Sequence, residues 1–425
     1  MNLDYSYKCT QCGKTFASND IEKKLLYLCP SCGAAEKNQP LKGVLKILYD
    51  YATIRQRISR EQFLRLPPGQ FWLYPELWPL EQDSSSASGL KGISPLQLQS
   101  VVLPSHSLLP LSYQGRNLWM LDDTRNPTYS YKDRASILVA LKAIQMGIEE
   151  IAAASTGNAG SSLAGICARL GLTARIWVPE AIPDAKLLQI QSYGAQVHLV
   201  KSDYDTAFDL SLEIGNRLGW YNRNTAYNPL TIEGKKSAAF DLFIQTGGKL
   251  PDPIFVPVGD GVIIAGFYKG LWELQQLGWI DRLPRLIAVQ ATGSNALVRF
   301  LQTGRFEYHP AHTVADSISA GAPRNLHLAA QAVRNSHGKA IAVTDTEILT
   351  AQQQLARELG ILAEPAAAAA FAGYLKWLHQ QKFQSNDQPL VLITGSGLKD
   401  IAALQQWNHR PEALTPDLWR ERLLK

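Results

Sequence analysis

Residues 149–172 read EEIAAASTGNAGSSLAGICARLGL. An apolar run, Ile151 to Ala154, passes through a few small residues into a stretch with apolar positions at helical spacing, closed by Gly171. That order is strand, tight turn, helix, and it recurs along the chain. EEIAAAS, RIWVP, QVHLV, PIFVPV, RLIAVQ and PLVLITG read as strands. Between them, GNAGSSLAGICARLGL, DAKLLQIQSYG, DTAFDLSLEIGNRLG and VIIAGFYKGLWELQQLG read as helices, each with a glycine near its end. Such alternation predicts right-handed βαβ units and parallel sheets buried on both faces, an α/β fold. EPAAAAAFAGYLKWL adds a packed helix near the carboxyl end.

Composition narrows the function. With 425 residues, 46 % hydrophobic and 19 % charged, the chain is long and apolar enough for two or three cored units. Its 42 Lys+Arg against 37 Asp+Glu give a net charge of +5, without a run of five basic residues. Nucleic acid and anionic membrane are therefore not expected partners, while an anionic small substrate stays open. The amino terminus, MNLDYSYKCT, lacks a basic-then-apolar leader, and no apolar run reaches the roughly 20 residues of a membrane span, so a cytoplasmic location is expected.

Working outward, residues 1–38 are expected to form a mini-domain and 39–100 an extension. Within the extension, the aromatic and proline-rich stretch before Leu80 should wrap over a larger body, and DSSSASGLKGIS (83–94) reads as a flexible linker or loop. The main region is 101–425. Four of the five cysteines fall in Cys9-x2-Cys12 and Cys29-x2-Cys32, sixteen residues apart. Two such knuckles aim four thiolates at one tetrahedral centre, the pattern of a zinc ribbon, and an all-protein ligand set makes the site structural and unable to activate water. Cys167 reads as a packed helix cysteine, and His309-x2-His312 as loop histidines.

Four segments could carry chemistry. Lys132 follows the Asn126-Pro127 turn at the start of a helix, where a partly dry pocket would free its amine to act as a nucleophile or base. STGNAG (155–160) lies at a strand's carboxyl end, where ligands of open α/β sheets bind. VGDGVI (258–263) offers main-chain amides and a helix amino end to a phosphate, although it is neither a dinucleotide nor a P-loop motif. TGSGLKD (394–400) presents hydroxyls after another strand.

Taken in order, NPTYSYKDRAS, STGNAG, NTAYNPLTIEGKKSAAF, PVGDGVIIAG, GILAEPAAAA and TGSGLKD resemble the successive landmarks of the threonine synthase family, over about Leu103 to Leu404. The resemblance implies the type II fold of pyridoxal-phosphate enzymes, with a large and a small parallel-sheet domain, the small one spanning about 135–230. It implies that Lys132 carries the cofactor's aldehyde and acts as the catalytic amine. Asn158 would bond the cofactor's ring oxygen, and Gly259, Asp260, Gly261, Val262 and Ile263 would cradle its phosphate. Thr394 would contact the pyridine nitrogen, with Ser396 in reserve. Ser155 and Thr156 would hold the substrate carboxylate, with Tyr129 beside them. Glu364 would either line this cavity or cap a helix. The implied reaction converts O-phosphohomoserine and water to threonine and phosphate, in a homodimer.

The sequence departs from the family at named positions. Tyr129 stands where Gly is usual, Tyr131 where Phe is, and His106 to Pro110 replaces the usual Gly-x-Thr-Pro-Leu. Thr231 stands where many members carry an Arg suited to a substrate phosphate, and Lys186, Arg223 and Lys235 are the candidates to compensate. A serine/threonine dehydratase and a β-replacement synthase acting on phosphorylated or acetylated serine share the same residues. A non-catalytic paralogue binding protein or nucleic acid through the ribbon is the reading from another class.

Overall fold

The computed structural model describes residues 5–424 except Thr156, Pro183 and Asp203. Among these residues the backbone forms three sheets. The 149–172 stretch folds as strand Glu150–Ala154 and helix Asn158–Leu170, stopped by Gly171 in the left-handed region at φ 73°. This strand sits inside a four-stranded parallel sheet ordered Gln196–Val200, Thr173–Pro179, Glu150–Ala154, Tyr221–Asn222. The second sheet has six strands, ordered Lys339–Val343, Leu286–Ala291, Ile254–Pro257, Leu390–Ile393, Arg116–Asp122, Leu108–Tyr113. All neighbours in it are parallel except the last pair. Strands Ile254–Pro257 and Leu390–Ile393 are buried along their whole length, as a sheet covered by helices on both faces requires. The α/β fold with two parallel sheets is therefore as expected.

All six strands read from the sequence are present. The hairpin Leu108–Tyr113/Arg116–Asp122 is additional, turning on Gln114 and Gly115 at φ 48° and 74°, a two-residue loop whose twist matches that of its strands.

The third sheet is antiparallel and carries the first cysteine pair: Thr15–Ala17, Tyr5–Cys9, Leu45–Tyr49. It takes its last strand from beyond residue 38, so the segment expected to begin at 39 starts inside this sheet. The aromatic stretch does wrap the body: Phe63, Phe71 and Trp78 are buried, and Phe63 packs its ring 5.6 Å from Phe240 and 4.7 Å from Trp279. Each such side chain removed from water stabilises by about 1.5–3 kcal/mol, which anchors the extension's short helices, Tyr51–Arg57 and Arg60–Leu64, to the body. Of the two readings of 83–94, linker and loop, the structure shows the loop. Residues 83–94 form a hydrogen-bonded loop, in which Ser88 Oγ donates to the carbonyls of Leu90 and Ile93 while the Leu90 and Ile93 side chains are buried. The high Ser/Gly content reflects tight turns here. No helix among the described residues is long and apolar enough to cross a membrane.

Candidate active site

Lys132 opens helix Lys132–Gln145, and its backbone is pinned from three directions. The preceding residues zip onto the end of strand Leu390–Ile393: Ser130 pairs with Gly395, Tyr131 N donates to Thr394 O at 2.9 Å, and Ser396 N donates to Tyr129 O at 3.0 Å. Arg134, buried on the same helical turn, grips Asp123 through Nε and Nη2 at 2.6 and 2.8 Å. Tyr131 OH donates to Lys235 O at 2.9 Å, a use for the phenol that replaces the family's Phe. Tyr129 holds φ 66°, which costs a non-glycine residue about 1 kcal/mol or more and shows why Gly is usual there. Burial lowers the pKa of the Lys132 ammonium; Asp260 and Glu364 oppose the shift and Arg223 adds to it.

The amine faces a cavity of about 350 Å³, which Ser155, Asn158 and Asp260 also line. Asn158 sits at the first turn of its helix and donates through Nδ2 to both Glu364 oxygens at 2.8 Å and to Ser317 Oγ at 3.2 Å. Burial raises the Glu364 pKa, against the Asn158 hydrogen bond and the lysines nearby. Ser155 accepts from Gly157 N at 3.2 Å and so shapes the turn before that helix. Thr156 lies outside the described residues.

In the 258–263 turn, Gly259 has no room for a Cβ, which would meet Ile318 Cα at 2.7 Å, and Gly261 has φ 84°. Helix Val262–Gln276 starts immediately after, so its leading amides have no intrahelical acceptors. Val262 and Ile263 bury their side chains in separate apolar clusters, and of the five residues expected to cradle a phosphate Asp260 alone is among those lining the cavity. Asp260 accepts from Arg324 N through Oδ1 at 3.3 Å and from Asn325 N through its carbonyl at 2.9 Å.

Other expected residues are placed elsewhere. Tyr129 is half exposed and is not among the residues lining the cavity. Thr394 is buried and joined to the Lys132 segment through its carbonyl, and Ser396 Oγ is occupied in accepting from Leu398 N. Thr231 is buried and donates to Asn228 O at 2.7 Å. Of the compensating cations, Lys186 pairs with Asp316, Lys235 donates to Thr231 O at 3.2 Å, and Arg223 donates to Ser136 Oγ and Thr225 Oγ1. Cys167 is buried, with its thiol pushed up by burial. His309 and His312 line a different pocket with Arg299. The sequence did not single out Asn38, Phe208, Ser317 and Arg324, which line the cavity from loops and a helix far apart in the chain. No spacing rule marks them.

The four cysteines converge. Their sulfurs all lie within 4.8 Å of one another, with Cys9–Cys32 at 3.4 Å and Cys12–Cys29 at 3.7 Å. Four thiolates around zinc at about 2.3 Å stand roughly 3.8 Å apart, so the arrangement fits the ion. Amides of Gln11 and Cys12 point at Cys9 Sγ and that of Ser31 at Cys29 Sγ, each at 3.4 Å, as knuckles that stabilise thiolates do.

The model of the family "pyridoxal-phosphate dependent enzyme" matches residues 99–395. A threonine synthase of Methanocaldococcus jannaschii is 33 % identical over 97 % of this chain and 97 % of its own, and one of Methanosarcina acetivorans is 32 % identical over 93 % and 92 %. The chain belongs to the threonine synthase family. Solved structures show the same fold at lower identity. The processed form of threonine deaminase isoform 2 from Solanum lycopersicum matches with TM-score 0.60 and 18 % identity, covering 84 % of this chain and 91 % of that one. An O-ureido-L-serine synthase matches with TM-score 0.62 and 18 % identity, covering 77 % and 99 %.

The donor set fits the cofactor of this pyridoxal-phosphate-dependent family. A half-buried lysine amine, a glycine turn too tight for any Cβ and a helix amino end suit a phosphorylated aldehyde.

Proposed function

We propose that this chain is a threonine synthase, converting O-phosphohomoserine and water to threonine and phosphate. The observation that carries this reading is the Lys132 amine opening into one cavity with Ser155, Asn158 and Asp260. Its full-length likeness to threonine synthases sets it above the dehydratase and β-replacement alternatives.

When bound, pyridoxal phosphate supplies an electron sink that lowers the cost of removing a proton beside the amino-acid nitrogen. Lys132 would hold its aldehyde, the main-chain amides of Gly259, Asp260, Gly261, Val262 and Ile263 its phosphate, Asn158 its ring oxygen, and the neutral hydroxyl of Thr394 its ring nitrogen. Ser155, Thr156 and the amides beside them would orient the substrate carboxylate; Tyr129 would act only at the rim. Burial keeps the Lys132 amine ready to accept a proton from the substrate's α carbon and, once that proton has been passed on, from its β carbon. Phosphate departs from the γ carbon, which takes up a proton in place of the one lost at the β carbon; the hydroxyl of water adds at the β carbon, its remaining proton goes to the phosphate, and the α carbon regains its own. Glu364, through its pair of contacts to the Asn158 amide, sets the direction in which that amide points.

The test is product analysis: equal amounts of phosphate and threonine from O-phosphohomoserine support the reading. Ketoacid from serine or threonine, without phosphate release, would assign the dehydratase instead. Lys132→Ala should lower turnover by at least about 10²- to 10⁴-fold, the range for a positioned general base.

The cysteine cluster supports a second assignment, a structural zinc ion held by Cys9, Cys12, Cys29 and Cys32, checked by one equivalent of zinc in purified protein. A homodimer and a cytoplasmic location are carried by the family likeness alone.

A further inference from the structure

We propose that Lys399 is a positioning residue for the reaction: its ammonium fixes the helix that carries Asn158 against the segment that delivers Lys132, and so sets how closely the Asn158 amide meets the cofactor ring. This rests on the cofactor roles given above to Lys132 and Asn158, and deepens them.

Lys399 ends the turn Gly397–Lys399, which follows strand Leu390–Ile393 of the six-stranded sheet. That turn has little freedom. Gly397 N donates to Leu362 O at 2.8 Å, Glu364 N donates to Gly395 O at 2.9 Å, and a Cβ on Gly397 would meet Ala363 O at 3.0 Å. From this fixed base the Lys399 side chain reaches three separate elements. Nζ donates to Thr128 O at 3.0 Å, to Ser161 Oγ at 3.0 Å and to Gln189 Oε1 at 3.1 Å. An ammonium has three N–H bonds, so all of them are committed, and every acceptor is a neutral oxygen. Burial lowers the pKa of this ammonium, and Glu364 and Asp133 oppose the shift, supplying the negative charge that its hydrogen-bond partners lack.

The three acceptors belong to parts of the site that have to stay in register. Thr128 lies four residues before Lys132, and its amide and hydroxyl both bond Asp133, on the first turn of the Lys132 helix. Ser161 lies three residues after Asn158, on the same face of helix Asn158–Leu170. Gln189 is on helix Asp184–Ser192, and both of these helices follow strands of the four-stranded sheet. One cation therefore joins the two parallel-sheet layers where Lys132 and Asn158 come together. The fit there is close: a Cβ on Gly165 would meet Thr128 Cγ2 at 2.4 Å. Glu364 turns the Asn158 amide, and Lys399 fixes the depth of the helix beneath it.

Holoenzyme variants test this through the rate at which cofactor leaves the protein, followed by its visible absorbance, and through turnover of O-phosphohomoserine. Lys399→Met keeps most of the side-chain volume and leaves all three acceptors without their donor. It should speed cofactor loss and lower kcat, each by roughly 10- to 100-fold, with KM changed less. Because the effect runs through Asn158, in an Asn158→Ala background Lys399→Met should change either quantity by less than about twofold. A lysine that only stabilises the fold would lower the urea midpoint in both backgrounds, and its effects on the two quantities would multiply with those of Asn158→Ala. Multiplying effects, or a folded Lys399→Met with both quantities within about twofold of wild type, overturn the inference. If Lys399→Met fails to fold by circular dichroism, Ser161→Ala, which removes the acceptor on the Asn158 helix, takes its place under the same criteria. Cofactor loss is read without substrate, so a wild type that releases no phosphate would sink the threonine synthase reading alone, and the two failures are distinguishable.

Discussion

Lys235 and Lys236 are consecutive on helix Leu230–Gln245, both fully buried, and they face opposite electrostatic surroundings. Lys236 lies 2.7 Å from Glu233 and 2.8 Å from Glu273, and Lys269 closes the ring with contacts to the same two carboxylates. Tyr49 OH, on the cysteine-bearing sheet, donates to Glu233. Two cations balance two anions, and the network ties the amino-terminal sheet to the body. Lys235, on the other side, has a carbonyl for its hydrogen bond and two cations, Lys132 and Arg223, among its charged neighbours. A buried charge balanced within the chain serves structure. An excess of buried positive charge beside the cavity serves an anion that arrives from outside, as a phosphorylated cofactor and substrate would.

Breaking the balanced side should have the largest effect. Lys236→Met leaves two buried carboxylates with one cation and should destabilise by about 3–5 kcal/mol, seen as a lower denaturation midpoint in urea. Stripping the metal proposed for the four cysteines with a strong chelator should come next: the amino-terminal sheet that carries them should lose structure before the parallel-sheet core melts. A core that melts together with metal loss would show that the ribbon is a folding element only.

On the unbalanced side, Lys235→Met should cost little stability at neutral pH, since it removes a buried cation whose charged surroundings are mostly positive, Lys132 and Arg223 against Asp260 alone. Burial, with Lys132 and Arg223, depresses the Lys235 pKa well below its ordinary 10.5. Over that window the unfolded chain binds more protons, so stability should rise with pH by up to about 1.4 kcal/mol per unit, and Lys235→Met should flatten this part of the profile. Glu364→Gln should give the smallest change, of opposite sign. A carboxyl whose pKa is raised keeps its proton in the folded state, so it stabilises below its ordinary range and that contribution fades as pH rises through the folded value. The variant should remove the fading, measured by urea denaturation from pH 4 to 7.

Much of this was legible in the sequence where local rules operate. The strands PIFVPV and PLVLITG are continuous apolar runs because both their faces are covered, and the glycine turns after them punctuate the chain at the cavity's edge. The paired CxxC spacing was enough to bring four sulfurs together. Strand Arg116–Asp122 was missed because RNLWMLD mixes polar and apolar residues, its place being set by partners about 270 residues away. The Ser-rich 83–94 loop looked like a tether because composition reports entropy and not the bonds that Ser88 makes. Arg324 and Asn38 carry no motif at all. Tertiary structure alone brings them to the cavity that Lys132 lines, from positions far apart in the chain.

The fastening of Tyr129 and Tyr131 to residues 394–396 has a consequence for biosynthesis. Until residues 390–396 have been synthesised, Arg116–Asp122 has its hairpin partner and lacks its parallel one, and the segment before Lys132 lacks the strand end that fixes it. The geometry around Lys132 is therefore completed only late in synthesis, by a segment close to the carboxyl end.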